Sequence, residues 1–446
     1  MQSPSFCFYI ARVEKYGITK GIRTKMREKK QRLLSFFALS VLLFSLTVSL
    51  ASCEPPSTEQ SEYASSYFDG YGLPEYDEKK FREAELIFSD YFVLPLPSPE
   101  EHAELTVSLY FEKFHEKIDT GDTDAVTDAL LSCYVYASGD KYAVYRNPIE
   151  FENYSSDMSG SFYGIGVTVT HDKVNGTVTV SEIYQGGGAE EAGLLIGDLI
   201  IGAGDAFLST DGYDSVVENL RSPDTDEVTV TVVRDGAELI LTIKKSLVVE
   251  KNVEYSMLAD NIAYIKISSF KDNTLSQFKE AVDSAVQAGA VGIIYDLRAN
   301  PGGYLSSVVG VLSYLAPDGT TIATFSDGYA KPKKDNDPHS LSLPSVVICN
   351  GKTASAGELF TAAMRDFDDT LGYFDVTVVG TNTYGKGVMQ NSYALSDGSR
   401  ITLTVAYYNP PSGINYDGVG IKPDVTAESE SLQLEVAFSE ILKLVK

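Results

Sequence analysis

Ser355 stands where a short apolar run ends in a glycine turn and a helical pattern begins, within Asn350-Gly351-Lys352-Thr353-Ala354-Ser355-Ala356-Gly357-Glu358. A serine placed there can act as a nucleophile, because free amides and the positive end of a helix dipole can receive a developing oxyanion. The same Ser-x-x-Glu spacing is also a capping box, in which the serine merely satisfies backbone N–H groups. Nucleophilic chemistry therefore requires a base as well. His339 is the only histidine after residue 246 and lies in the polar stretch Lys333–Ser340, where exposure is expected. The stronger partner is Lys386, in Thr383-Tyr384-Gly385-Lys386-Gly387. A free lysine has a pKa near ~10.4 and is protonated at neutral pH, but burial lowers that value. Gln390, four residues on, can hydrogen-bond the amine without adding a negative charge. A surface hairpin lysine is the rival reading for any Gly-Lys-Gly.

The elements around these residues are legible as three pieces. Residues 246–446 alternate strands with helices: Ile262–Ser268, then Leu275, Phe278, Val282 and Val286 at helical spacing, then the apolar runs Val291–Leu297 and Ser345–Cys349. That order predicts an α/β layer, with chemistry at the strand ends where glycine turns feed helices. Residues 158–245 are β-rich and glycine-punctuated. Gly164-Ile165-Gly166-Val167 precedes a strand, and Gly188-Ala189-Glu190-Glu191-Ala192-Gly193-Leu194-Leu195-Ile196-Gly197-Asp198 follows. Together they resemble a PDZ domain, which captures a chain end by β-augmentation while loop amides hold the terminal carboxylate. Residues 77–157 read as mainly helical, from Phe81, Ala84 and Phe88 and from a Ser-Pro-Glu-Glu start at 98–101. Residues 77–134 show no chemistry, and their acidic residues read as a solvated face.

The remaining residues read as an address. Basic residues at 26–32 precede the uncharged run 33–50, which ends in Leu50-Ala51-Ser52-Cys53. Residues 1–52 resemble a lipoprotein signal peptide with Cys53 as the lipidated residue; an uncleaved transmembrane anchor is the alternative. Residues 53–76 read as a tether. The chain carries 36 Lys+Arg against 62 Asp+Glu, a net charge of −26, and without residues 1–52 the balance falls to −33. That excess excludes nucleic acid as a general partner and leaves membrane attachment to the lipid. Cys133 and Cys349 are expected as two free buried thiols. No two of the four histidines share a metal-ligand spacing, so neither metal nor cofactor is expected.

The ordered set of motifs resembles the carboxyl-terminal processing peptidases, or tail-specific proteases. It runs from the glycine loop at 164–167 through Tyr264–Phe270, Asp296-Leu297-Arg298-Ala299-Asn300-Pro301-Gly302-Gly303, the Ser355 and Lys386 segments, and Gly418-Val419-Gly420-Ile421-Lys422-Pro423-Asp424. The resemblance implies a multidomain α+β chain: a helical N-terminal region, a β-rich PDZ domain and an α/β (ClpP/crotonase-like) peptidase core. It also implies that Ser355 attacks, Lys386 is the base, Gln390 supports it, and the amides of Gly303 and Ala356 form the oxyanion hole. Gly164, Ile165, Gly166 and Val167 would hold the substrate tail, and Arg221 falls where the family often has a Leu-Arg pair. Thr353 and Gly357 replace the family's flanking serines, and Asp366–Asp375 reads as a lengthened loop.

Two functions remain in view. One is a serine endopeptidase of the bacterial cell envelope, lipid-anchored on the outer face of the cytoplasmic membrane or periplasmic, acting on proteins or peptides with accessible carboxyl termini; self-association into a homo-oligomer stays open. The other is a catalytically inert surface PDZ peptide-binding protein.

Overall fold

The computed structural model describes residue 68 and residues 70–446, apart from 173–174, 327–329, 336 and 374. The signal segment, Cys53 and most of the expected tether lie outside the described residues.

Three helices, Glu78–Tyr91, Pro99–Lys113 and Thr123–Ala137, begin the described chain. Asp77 caps the first by accepting from the N–H groups of Lys79 and Lys80. Ser98 and Glu101 cap the second reciprocally, with Pro99 at its first position. Phe81, Ala84 and Phe88 are buried as their spacing predicts, but the region does not close a core alone. Its cluster includes Ile401, Leu403 and Val405 from the strand Arg400–Asn409, and the short strand Val144–Arg146 pairs antiparallel with that same strand. The end of the expected tether also joins this core: Phe68 packs edge-on against Phe81, with Tyr71, Leu73 and Tyr76 alongside.

The chain enters and leaves the next unit through one two-stranded ribbon, Ser161–Gly164 against Ser246–Val249. Between them lies an antiparallel sheet with Val167–Asp172 at its edge, and the helix Gly212–Arg221 lines a pocket together with the start of that edge strand. Val178, Val180, Ile200, Val230 and Val232 fill its core at alternate strand positions.

Residues 253–446 build a six-stranded sheet in the order Val253–Met257, Ile262–Ile267, Gly292–Asp296, Ser345–Cys349, Val376–Gly380, Val425–Thr426. Only the first pair is antiparallel. Helices Thr274–Gln287, Leu305–Leu315 and Ala356–Leu371 share one apolar cluster with the sheet, while Glu430–Leu444 contributes Ala437 and Ile441 to another. Burial on both faces explains why the central strands read as unbroken apolar runs. Val286 is an exception to the predicted face of its helix: it is exposed, and Ala281 and Ala285 take the buried positions. The segment Asp366–Asp375 differs more. It is helix as far as Leu371, with Gly372 in the left-handed conformation at the C-cap, so its length extends a helix. Cys133 and Cys349 are both buried and free.

Candidate active site

Ser355 sits between the strand Ser345–Cys349 and the helix it opens, with φ 53° and ψ −117°. A non-glycine residue at such angles is strained by about 1–3 kcal/mol and persists only where its surroundings hold it. Glu358 is what holds it. Its carboxylate is fully buried and accepts from the Ser355 N–H at 2.9 Å. It also accepts from the N–H of Gly385 (2.7 Å), the N–H of Lys386 (2.8 Å) and the Thr383 hydroxyl (2.5 Å). The acid that reads as a helix cap is therefore a clamp between the serine turn and the lysine loop.

The Asn300-Pro301-Gly302-Gly303 turn packs directly on Ser355. A Cβ at Gly302 would lie 2.8 Å from Ser355 Cβ and 2.9 Å from the Ala356 nitrogen, and one at Gly303 would lie 2.2 Å from the Phe270 carbonyl oxygen. Both glycines adopt positive φ, 104° and 140°. Asn300 fixes the turn: its side chain donates to the Ile267 carbonyl and accepts from the Gly302 N–H. The N–H groups of Gly303 and Ala356 have no hydrogen-bond partner among the described residues, so two donors stand free beside the Ser355 turn.

Lys386 is half-buried, and its Nζ lies 4.4 Å from the centre of the Tyr142 ring. Burial holds its amine below the usual lysine value; the Asp140 charge works against this, Lys141 assists it, and Glu358 and Asp417 oppose it. Gln390 does not hold the amine. Its side-chain nitrogen donates to Thr404 Oγ1 at 3.1 Å and the Val388 carbonyl at 3.4 Å. Among the described residues Nζ makes no hydrogen bond, and the Ser355 hydroxyl accepts instead from Tyr408 at 3.2 Å. The Tyr408 ring is buried, its hydroxyl pKa is raised by that burial, and Tyr416 packs edge-on against it.

Tyr408, Tyr142 and Asp140 were not found from sequence. The first sits in an ordinary β run and the other two follow a helix with no motif. The turn after the third helix, which lies beyond the residues 77–134 read as without chemistry, brings Tyr142 to the lysine. His339 differs from expectation too: it is half-buried, stacked on Tyr314, with Nδ1 2.6 Å from the Tyr314 carbonyl.

Gly164, Ile165, Gly166 and Val167 line one pocket, closed on the other side by Val217, Leu220 and Arg221. Arg221 donates to Asn153 Oδ1 at 2.6 Å. Among the described residues no group of acidic, His and Cys side chains could hold a metal, and no helix is long and apolar enough to cross a membrane.

Residues 261–427 match the model of peptidase family S41, and residues 155–233 match that of the PDZ domain. A protein of Staphylococcus aureus (strain COL) described as a probable CtpA-like serine protease is 30% identical over 316 residues, 70% of this chain and 62% of the relative. A protein of the same description from Staphylococcus epidermidis is 30% identical over 315 residues with the same shares. The chain thus spans about 62% of the length of the curated relatives it matches. Among solved structures, the photosystem II D1 C-terminal processing protease is 23% identical, with 79% of this chain and 93% of that chain covered and a TM-score of 0.47.

Proposed function

We propose that the chain, whose residues 261–427 match the S41 peptidase model and whose residues 155–233 match the PDZ model, is a PDZ-containing carboxyl-terminal processing peptidase, a serine endopeptidase cleaving proteins near their carboxyl termini through a Ser355/Lys386 dyad. The observation that carries this reading is the shared Glu358 clamp. One buried carboxylate ties the strained Ser355 turn to the Lys386 loop, beside two unpartnered N–H groups. A helix cap alone has no need of the lysine loop.

In this reading the neutral Lys386 amine takes the Ser355 proton as Oγ attacks the peptide carbonyl. The carbonyl electron pair moves to oxygen, where the Gly303 and Ala356 N–H groups receive it. Lys386 then returns the proton to the leaving amine, and water completes hydrolysis of the acyl-enzyme by the same path. The bond from Tyr408 must be exchanged for one to Lys386 when substrate binds; such bonds commonly tighten only in the substrate complex. Gln390 bonds Thr404, whose N–H bonds Asp140, one of the charges acting on the lysine.

The pocket at Gly164–Val167 is assigned to the substrate tail, with the free edge of Val167–Asp172 available for strand addition. Cys53 is assigned as a lipidated residue anchoring the chain at the outer face of the membrane. Cys53→Ser should release the protein from the detergent phase; unchanged partitioning and size would overturn that assignment. The activity is tested by incubating residues 54–446 with an unfolded protein, beside Ser355→Ala. Cleavage by the first alone supports the dyad; cleavage by both removes Ser355 as the nucleophile, and cleavage by neither favours an inert PDZ binding protein.

A further inference from the structure

The helical N-terminal region contributes a side chain to the site. Its third helix ends at Ala137, and the turn that follows is fastened to the strand behind the lysine. Asp140 is buried; one carboxylate oxygen accepts from the Thr404 N–H at 3.0 Å, the other from the Tyr142 N–H at 2.9 Å. Thr404 is the residue whose hydroxyl receives the Gln390 amide. The latch delivers the Tyr142 ring to the Lys386 amine at 4.4 Å, within the range of a cation–π contact. The Tyr142 hydroxyl is buried and its polar interaction is with the neighbouring Lys141, not with Lys386.

We propose that Tyr142 is a positioning residue for Lys386, whose ring face receives the ammonium formed when the amine takes the Ser355 proton while its bulk keeps water off that amine. The proposal rests on the dyad reading above. A neutral amine gains little from the ring's quadrupole, whereas an ammonium is attracted by it, so the ring favours the state reached after proton transfer. Nearby charges act on the same amine. Asp140, Glu358 and Asp417 favour its charged form and Lys141 disfavours it. Lys141 itself lies 4.7 Å from the Tyr142 ring and 5.5 Å from that of Tyr384.

The test separates the ring's charge effect from its bulk. Tyr142→Phe keeps the aromatic face; Tyr142→Leu keeps most of the bulk without it, and Tyr142→Met is the second choice should the leucine variant not fold. The Lys386 pKa is read in the Ser355→Ala background by competitive amine acetylation across pH, followed by peptide mass spectrometry, which needs no turnover. The expected result is an unmoved pKa in the phenylalanine variant and a fall of about 0.5–1 unit in the leucine or methionine variant. In the Ser355 protein, kcat should fall roughly three- to tenfold for Leu with KM unchanged, and be retained for Phe. A pKa that stays or rises in the leucine and methionine variants would overturn the proposal, since a ring that only fills space admits water when trimmed. Absence of cleavage by the Ser355 protein would instead count against the dyad, and the acetylation titration would still report on Tyr142.

Discussion

At the residue scale, the site depends on three side chains with separable effects. Ser355→Ala and Lys386→Ala should each lower kcat by at least about a thousandfold without unfolding the protein, because members of a catalytic unit lose nearly the same activity singly or together. Lys386→Arg should fail equally, since a guanidinium does not release its proton near neutral pH. A single-turnover assay on the three variants checks this. The acid limb of kcat/KM should lie below the ordinary lysine value: burial lowers the Lys386 pKa, so the neutral base is available at lower pH than a solvated lysine would allow. Glu358→Gln should cost at least about 2 kcal/mol of stability and most of the activity. The carboxylate accepts four hydrogen bonds there, and an amide would turn its own N–H groups toward those donors. Chemical denaturation with a parallel peptidase assay measures both losses.

At the scale of elements, the first helix carries a charge under stress. Glu85 lies between the buried positions Ala84 and Phe88, and burial pushes its carboxyl up to about 7, with Arg82 pulling the other way. Its folded pKa is raised, so its contribution to stability is full below the unfolded carboxyl value and is lost as pH climbs through about 7. Wild type should lose about 1–3 kcal/mol between pH 4.5 and 8 from this group, and Glu85→Gln should remove that slope and be the more stable protein at pH 8. Denaturant melts at the two pH values decide it. Helix starts and strand runs were legible here because they follow from local rules. Ser98 and Pro99 announce a start, and apolar runs announce doubly covered strands. The helix extension to Leu371 was missed because nothing before Gly372 distinguishes a long helix from a lengthened loop.

At the scale of the whole molecule, the Gly164–Val167 pocket and the Ser355 turn are joined through polar contacts. Arg221 at the pocket bonds Asn153 on the helix Pro148–Ser159, and Asp157 of that helix pairs with Lys271 at 2.8 Å. Lys271 also pairs with Glu250 at 2.7 Å, just past the ribbon, and adjoins Phe270, whose carbonyl lies against Gly303. If the pocket reads a terminal carboxylate, a peptide with a free apolar carboxyl terminus should be cleaved at least about tenfold faster than its amidated twin below saturation, the carboxylate contributing charge-assisted hydrogen bonds to loop amides. Equal rates for the pair would show that the carboxylate is not read.

The sequence alone was enough to mark the runs around Ser355, Lys386, Gly302-Gly303 and Gly164–Val167, because in each a helix start or a glycine's missing Cβ is a local signal. The roles of Glu358, Tyr408, Asp140 and Tyr142 were decided only by the tertiary structure. Their effect lies in what faces them: a buried acid becomes a clamp when two loops bring it four donors, and a tyrosine meets the lysine amine only when its turn is latched to Thr404. Side-chain spacing along the chain encodes which face a residue shares, while distance between elements far apart in sequence is set by packing of the whole core, and no local pattern carries it.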